Sequence, residues 1–152
     1  MRSRTHTHIT CFGFDRPQFD KIFNSYAAKY HLGDRVHFQA GDFFTDAFPP
    51  GDVIVLGRVL HNWDLPTKHM LLAKAYAALP NGGALIVYER FIDDDRRTHA
   101  AALLSSLNMM VMTSAGFDCT AGECAAWMRE AGFGECQVEQ LTEDISMLSA
   151  RK

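Results

Sequence analysis

Four ionisable side chains stand at the ends of hydrophobic runs. Asp15 follows "ITCFGF", Asp42 follows "RVHFQAG", His61 follows "VIVLGRVL", and Glu89 closes "ALIVYE". A histidine that ends a buried run either closes a strand as a hydrogen-bonded polar residue or stands where a ligand reacts. An aspartate after a strand is most often a turn former or a helix cap. In nucleotide-binding sheets the acid after the second strand also accepts hydrogen bonds from ribose hydroxyls, and Asp15 fits that role. The glycine-rich turn that normally precedes such an acid is not in the sequence, where Gly13 alone lies ahead of it. One such acid is unremarkable; four ionisable groups at corresponding strand ends point to a ligand.

Those positions matter only if the runs are parallel strands, because open parallel sheets bind ligands outside the carboxyl ends of their strands. The spacing supports this. "FDKIFNSYAAKYH" repeats apolar residues at Phe19, Ile22, Phe23, Tyr26 and Ala27, one face of a helix. "RVHFQAGD" alternates as a short strand, and "PPGD" is a turn. "VIVLGRVL" reads as a strand buried on both faces. Asp64 or Thr67 can cap a helix that begins near Pro66 and runs through "TKHMLLAKAYAAL". "PNGG" ends that helix, with Gly82 and Gly83 free to take positive φ. "ALIVYERF" is a further buried strand. A long helix is expected from Arg96 to Val111, preceded by the charge run "RFIDDDRR", a solvated loop and helix start. "GECAAWMREAGF" gives a short helix closed by Gly132, and "ECQVEQL" and "ISMLSAR" form a final hairpin. Strand–helix alternation of this kind predicts a Rossmann-like, doubly wound, mostly parallel α/β sheet with an antiparallel hairpin at one edge.

Bulk properties narrow the function classes. The 152 residues suit a single domain, and 47% hydrophobic residues allow a real core. With 22% charged residues and a net charge of −3, nothing suggests nucleic acid or a disordered acidic tail. No apolar stretch is long enough to span a bilayer. "MRSRTHTHIT" has no apolar core after its arginines, so it is not a secretory signal, and it lacks the amphipathic pattern of a transit peptide. Cys11, Cys119, Cys124 and Cys136 form no C-x-x-C pair and have no nearby histidine spacing of the zinc type, so reduced thiols in a cytoplasmic protein without a metal are expected.

The chain resembles a family in the combination of "GFDRP", "GDFF", "VIVLGRVLHNWDL", "LLAKAYAALPNGGALIVYERF", "LNMMV", "AGFDCT" and "WMREAGF". This is the family of S-adenosylmethionine-dependent O-methyltransferases of the caffeate, isoflavone and bacterial natural-product type. The resemblance runs from about Phe14 to the C-terminus. It implies that Asp15 binds the cofactor ribose, that Asp42 meets the adenine amine and that Phe43 lies on the adenine ring. It also implies His61 as general base, Glu89 as the group that orients its imidazole, and Trp63 as pocket wall. The position four before the histidine often carries a cofactor-contacting side chain; here it is Gly57, which offers backbone alone. Asn108, Met109 and Met112 fall on the segment expected to line an aromatic-substrate pocket, although helical core packing explains the methionines equally well.

The implied chemistry suits these residues. A phenol resembles tyrosine, with a pKa of about 10, so little of it is ionised at neutral pH. A histidine base contributes roughly 10²–10⁴-fold, and a carboxylate on its other nitrogen fixes the tautomer and stabilises the imidazolium. Three departures from the family pattern are present. The glycine-rich loop, the strand before it and the N-terminal helical dimerisation region have no counterpart in these residues. A second catalytic glutamate expected just after "CT" falls on Ala121, with Glu123 displaced. Asn62 stands where many relatives carry Asp. The expectation is therefore a single, partial methyltransferase catalytic domain that methylates a hydroxyl of a small, aromatic metabolite, with S-adenosylmethionine as cofactor and weak cofactor binding by these residues alone. The family is homodimeric, although the region that dimerises has no counterpart here. The alternatives are a non-catalytic remnant acting as a fold or interaction module, one half of a split enzyme and, more distantly, a nicotinamide-dependent dehydrogenase.

Overall fold

In a computed structural model of the protein, residue 6 and residues 8–152 are described; the arginine-bearing start lies largely outside them. The described chain divides into two compact units, 1–49 and 50–152.

In the first unit, β1 (Cys11–Asp15) pairs in parallel with β2 (Val36–Ala40), from Cys11 opposite Val36 to Asp15 opposite Ala40. A parallel pair needs a crossover, and the chain supplies a 3-10 turn at Pro17–Phe19 followed by α1 (Asp20–Lys29). Pro17 suits the start of that turn because its missing N–H would have no partner there. The buried residues are Ala27, Leu32 and Val36, with Cys11, Phe23 and Tyr30 against them. The Gly41 amide donates to the Asp15 carbonyl, so Asp15 and Asp42 leave the same end of this two-stranded sheet.

The second unit holds β3 (Val53–Gly57), α2 (Leu65–Ala78), β4 (Ala84–Glu89), α3 (Ala100–Met112), α4 (Ala121–Glu130), β5 (Gln137–Gln140) and β6 (Ser146–Arg151). Its sheet has the order β3-β4-β6-β5. β3 and β4 are parallel, and β6 is antiparallel to both β4 and β5. Three of its four strands thus share a direction, and the hairpin lies at one edge as expected. Asp64 is the cap of α2, accepting from the Thr67 amide at 2.9 Å. Leu71, Leu72 and Ala75 lie on the buried stripe of α2, with Leu79 buried just past its end, each leucine contributing about 1.5–3 kcal/mol by its removal from water. α4 begins with a capping box in which Thr120 and Glu123 satisfy each other's amides, and Gly132 closes it with φ +106°.

Two expectations fail. The strand from Val53 ends at Gly57, and it is not buried on both faces: Val53 and Val55 are 52% and 53% exposed, whereas Leu56 on the alternate face is buried. β3 is the outer strand of its sheet, and an unbroken apolar run does not distinguish an inner strand from an outer one. The long helix starts at Ala100 rather than Arg96. The reason is Asp93, whose carboxylate accepts from the amides of Arg97, Thr98 and His99 and folds 93–99 into a loop. The Arg97 amide, followed by that of His99, holds this carboxyl well below the usual carboxylate range.

Candidate active site

His61 does not continue the strand. Arg58 turns the chain with φ +57°, a left-handed conformation that a non-glycine residue rarely adopts and that concentrates at functional positions. A 3-10 turn, Leu60–Asn62, then carries His61 inward. Gly57 permits this exit for a packing reason: a Cβ there would enter the ring of Tyr88 on β4.

The imidazole is 7% exposed and meets Glu89, which is 3% exposed, with Nδ1 at 2.7 Å from Oε2. The His61 backbone N–H points at Oε1 of the same carboxylate at 3.4 Å. Two strand ends therefore hold one histidine from both its ring and its backbone. Because the carboxylate accepts at Nδ1, the proton is assigned to Nδ1, and Nε2 keeps its lone pair. The Arg58 guanidinium lies 3.6 Å from Glu89 and sets a positive charge beside the carboxylate.

Sequence reasoning missed two more members of this cluster. Asp118, 2% exposed, places a carboxylate oxygen within 4.8 Å of the His61 and Glu89 donor atoms. Neither of its oxygens has a hydrogen-bond partner among the described residues. Burial pushes its carboxyl upward; a nearby Ser105 hydroxyl, outside good hydrogen-bond geometry, and the His61 ring pull it back. Gly116 makes the approach possible, since a Cβ there would strike the His61 carbonyl and the Asn62 backbone. Lys68 on α2 is fully buried, and its ammonium donates to the carbonyls of Trp63 at 2.8 Å and Phe117 at 2.9 Å. It also lies 3.0 Å from the Phe117 ring centroid. Burial lowers this lysine to about 8, against the opposing pull of Cys119, Asp118 and Glu89. A signal for Lys68 was present: with Leu71, Leu72 and Ala75 it falls on the apolar stripe of α2, where a lysine is out of place.

The remaining expected site residues have different surroundings. Asp15 is exposed, accepts from the Arg16 amide at 2.7 Å and lines an open pocket of about 290 Å³ with Gly13, Phe19, Phe23 and Phe38. Asp42 accepts from the Phe44 amide at 2.9 Å. The ring of Phe43 lies 4.7 Å from that of Phe44. Trp63 is half-buried at the end of the 3-10 turn. On α3, Met109 is half-buried, while Asn108 and Met112 are exposed. Ala121 opens α4, and Glu123 is engaged in the capping box and with Arg96 at 3.0 Å.

Fold and site define a mixed α/β protein whose strand ends carry a buried histidine–carboxylate pair. The model of the O-methyltransferase domain matches residues 2–134, and the chain belongs to the O-methyltransferase family. It is 38% identical over 149 residues to the tetracenomycin polyketide synthesis 8-O-methyl transferase TcmO of Streptomyces glaucescens, covering 98% of this chain and 44% of that protein. Among solved structures it is similar to an O-methyltransferase family 2 protein from Planctomyces limnophilus in complex with apigenin, with a TM-score of 0.94, 29% identity, and coverage of 99% of this chain and 44% of the other. It is also similar to human N-acetylserotonin methyltransferase in complex with S-adenosylmethionine, with a TM-score of 0.86, 32% identity, and coverage of 99% and 42%. The chain thus spans less than half the length of these relatives.

Proposed function

We propose that this chain carries the proton-handling site of an S-adenosylmethionine-dependent O-methyltransferase whose acceptor is a hydroxyl on a small aromatic metabolite, with His61 as general base. The observation that carries this reading is the buried contact of 2.7 Å between His61 Nδ1 and Glu89 Oε2, which leaves Nε2 as the acceptor. Glu89 keeps the ring in that tautomer and stabilises the imidazolium once it forms. His61 Nε2 would take the proton of the acceptor hydroxyl as that oxygen is methylated. The bound cofactor supplies the electrophilic methyl group.

The acids of the first unit fit such a cofactor by their chemistry. Asp15 is an exposed carboxylate at a strand end beside an open pocket lined by aromatic residues, suited to ribose hydroxyls. Asp42 and Phe43 are suited to an adenine amine and its ring. Gly57 offers backbone. Trp63, Asn108, Met109 and Met112 would meet the acceptor, an aromatic compound in keeping with the apigenin bound by the Planctomyces protein. Release of S-adenosylhomocysteine in the presence of small phenols, compared between the native chain and His61→Gln, tests this reading. Equal release by both would remove His61 from the chemistry.

A second reading draws on β3, an outer strand with two half-exposed valines. In it, this chain keeps the fold and completes its site only with a further polypeptide segment. Calorimetric titration of the cofactor into the chain, alone and with the product of the adjacent upstream reading frame, separates the two.

A further inference from the structure

The 3-10 turn that carries His61 is weak on its own. It is three residues long and is entered through the left-handed Arg58. Its internal bonds, from the Asn62 amide to the Val59 carbonyl and from the Trp63 amide to the Leu60 carbonyl, are 3.2 and 3.1 Å. Tertiary contacts must therefore fix its place. Glu89 is one, through the ring and the amide of His61. Lys68 is a second. It stands near the start of α2, on the same buried stripe as Leu71, Leu72 and Ala75. From that helix its ammonium reaches back to the Trp63 carbonyl at 2.8 Å and across to the Phe117 carbonyl at 2.9 Å. The ring centroids of Phe117 and Trp127 lie 3.0 and 5.9 Å from the same nitrogen. The loop gripped in this way lies against the turn, since a Cβ at Gly116 would strike the His61 carbonyl.

Stability alone does not account for a lysine at this position. An ammonium is costly to take out of water, and a methionine of similar length would fill the stripe without that cost. What a methionine lacks is donors for two buried carbonyls that are far apart in sequence. We propose that Lys68 is a positioning residue for His61: a buried ammonium clamp that fixes the backbone leaving the histidine's turn against the loop at residues 116–117, and so sets the direction of the imidazole. The inference rests on the reading of His61 as the base. Glu89 selects the ring nitrogen that bears the proton, and Lys68 fixes where the ring stands. The charge serves the clamp, because charged donors make the stronger hydrogen bonds.

Nitrogen NMR of the full chain with labelled histidine rings tests this without cofactor or acceptor, so its outcome does not depend on methyl transfer. The native His61 ring should hold one tautomer, protonated at Nδ1. In folded Lys68→Met its two nitrogen shifts should move towards each other, as the ring leaves Glu89 for part of the time and the second tautomer appears. Lys68→Gln keeps an N–H donor head and should show a smaller movement in the same direction; it replaces the first variant if Lys68→Met does not fold. In the methyl-transfer assay Lys68→Met should lower kcat by roughly 10–10²-fold, the scale of an ångström's misplacement, with KM for a phenolic acceptor unchanged. A lysine that only supports the fold would lower the melting temperature and leave the tautomer and kcat as they are. An unchanged His61 tautomer in the folded variant therefore overturns the proposal, as does a raised KM at unchanged kcat. A chain that shows the tautomer change but transfers no methyl group would refute the reading of His61 as base and leave the clamp standing.

Discussion

The acids of the two units are held in opposite ways. In the second unit Glu89 and Asp118 are almost fully buried and surrounded by His61, Arg58 and Lys68, whose partners come from elements distant in sequence. In the first unit Asp15 is exposed and Asp42 half-buried, and each is tied to a backbone amide one or two residues away. A dry cluster has charges fixed before any ligand arrives, which suits proton transfer. A wet acid keeps free lone pairs and costs little to maintain, which suits the recognition of hydroxyls and amines. Removing the paired dry acid, Glu89, should disturb stability and chemistry together, whereas removing a wet acid should disturb ligand binding alone.

The largest expected effect lies in the dry cluster. His61→Gln should reduce turnover by roughly 10²–10⁴-fold, about 3–5 kcal/mol in the barrier, with cofactor affinity unchanged. Steady-state rates and calorimetric cofactor titration check this, and a matching loss of affinity would undo the division of labour. Glu89→Ala should cost about 3–5 kcal/mol of folding stability, because it leaves Arg58 and the His61 ring without their buried partner. Denaturant unfolding is the measurement, and a loss below about 1 kcal/mol would place Glu89 with the wet acids.

Lys68 gives a pH signature of somewhat smaller size. Its folded-state value is near 8 against 10.5 for an ordinary lysine. As pH falls from 10.5 towards 8 the unfolded chain takes up this proton first, so stability from this group is present at high pH and lost on the way down. Stability should therefore rise between pH 8 and 10.5 by up to about 3 kcal/mol from this group. Lys68→Met should flatten that rise; unfolding curves across the interval report it, and an identical slope in the variant would show that other groups cause it.

The smallest effects belong to the wet acids. Asp15→Ala and Asp42→Ala should change stability by no more than about 1 kcal/mol, the scale of one exposed side-chain–backbone bond. If Asp42→Ala destabilised the chain as much as Glu89→Ala, the comparison would collapse.

Much of this was legible in the residues. The strand ends, the cap at Asp64 and the closing hairpin follow from local spacing and propensity, and the motif around His61 identified the family. What escaped depends on neighbours that local pattern does not contain. An apolar run reads alike on an inner strand and an outer one, so the exposure of Val53 and Val55 was hidden. Asp93 looked like part of a solvated charge run, yet its carboxylate delays α3 by four residues. Asp118 had no role in the reading of "AGFDCT", because nothing near it in sequence foretells burial beside His61.

The sequence by itself determined the order and type of the elements, the family, and which ionisable residues stand at strand ends, since period, capping and turn chemistry act over a few residues. Only the tertiary structure decided which of those groups are dry. Burial and polar pairing arise when residues far apart in sequence, His61 with Glu89 and Lys68 with Phe117, are brought within a few ångströms and water is excluded from the space between them.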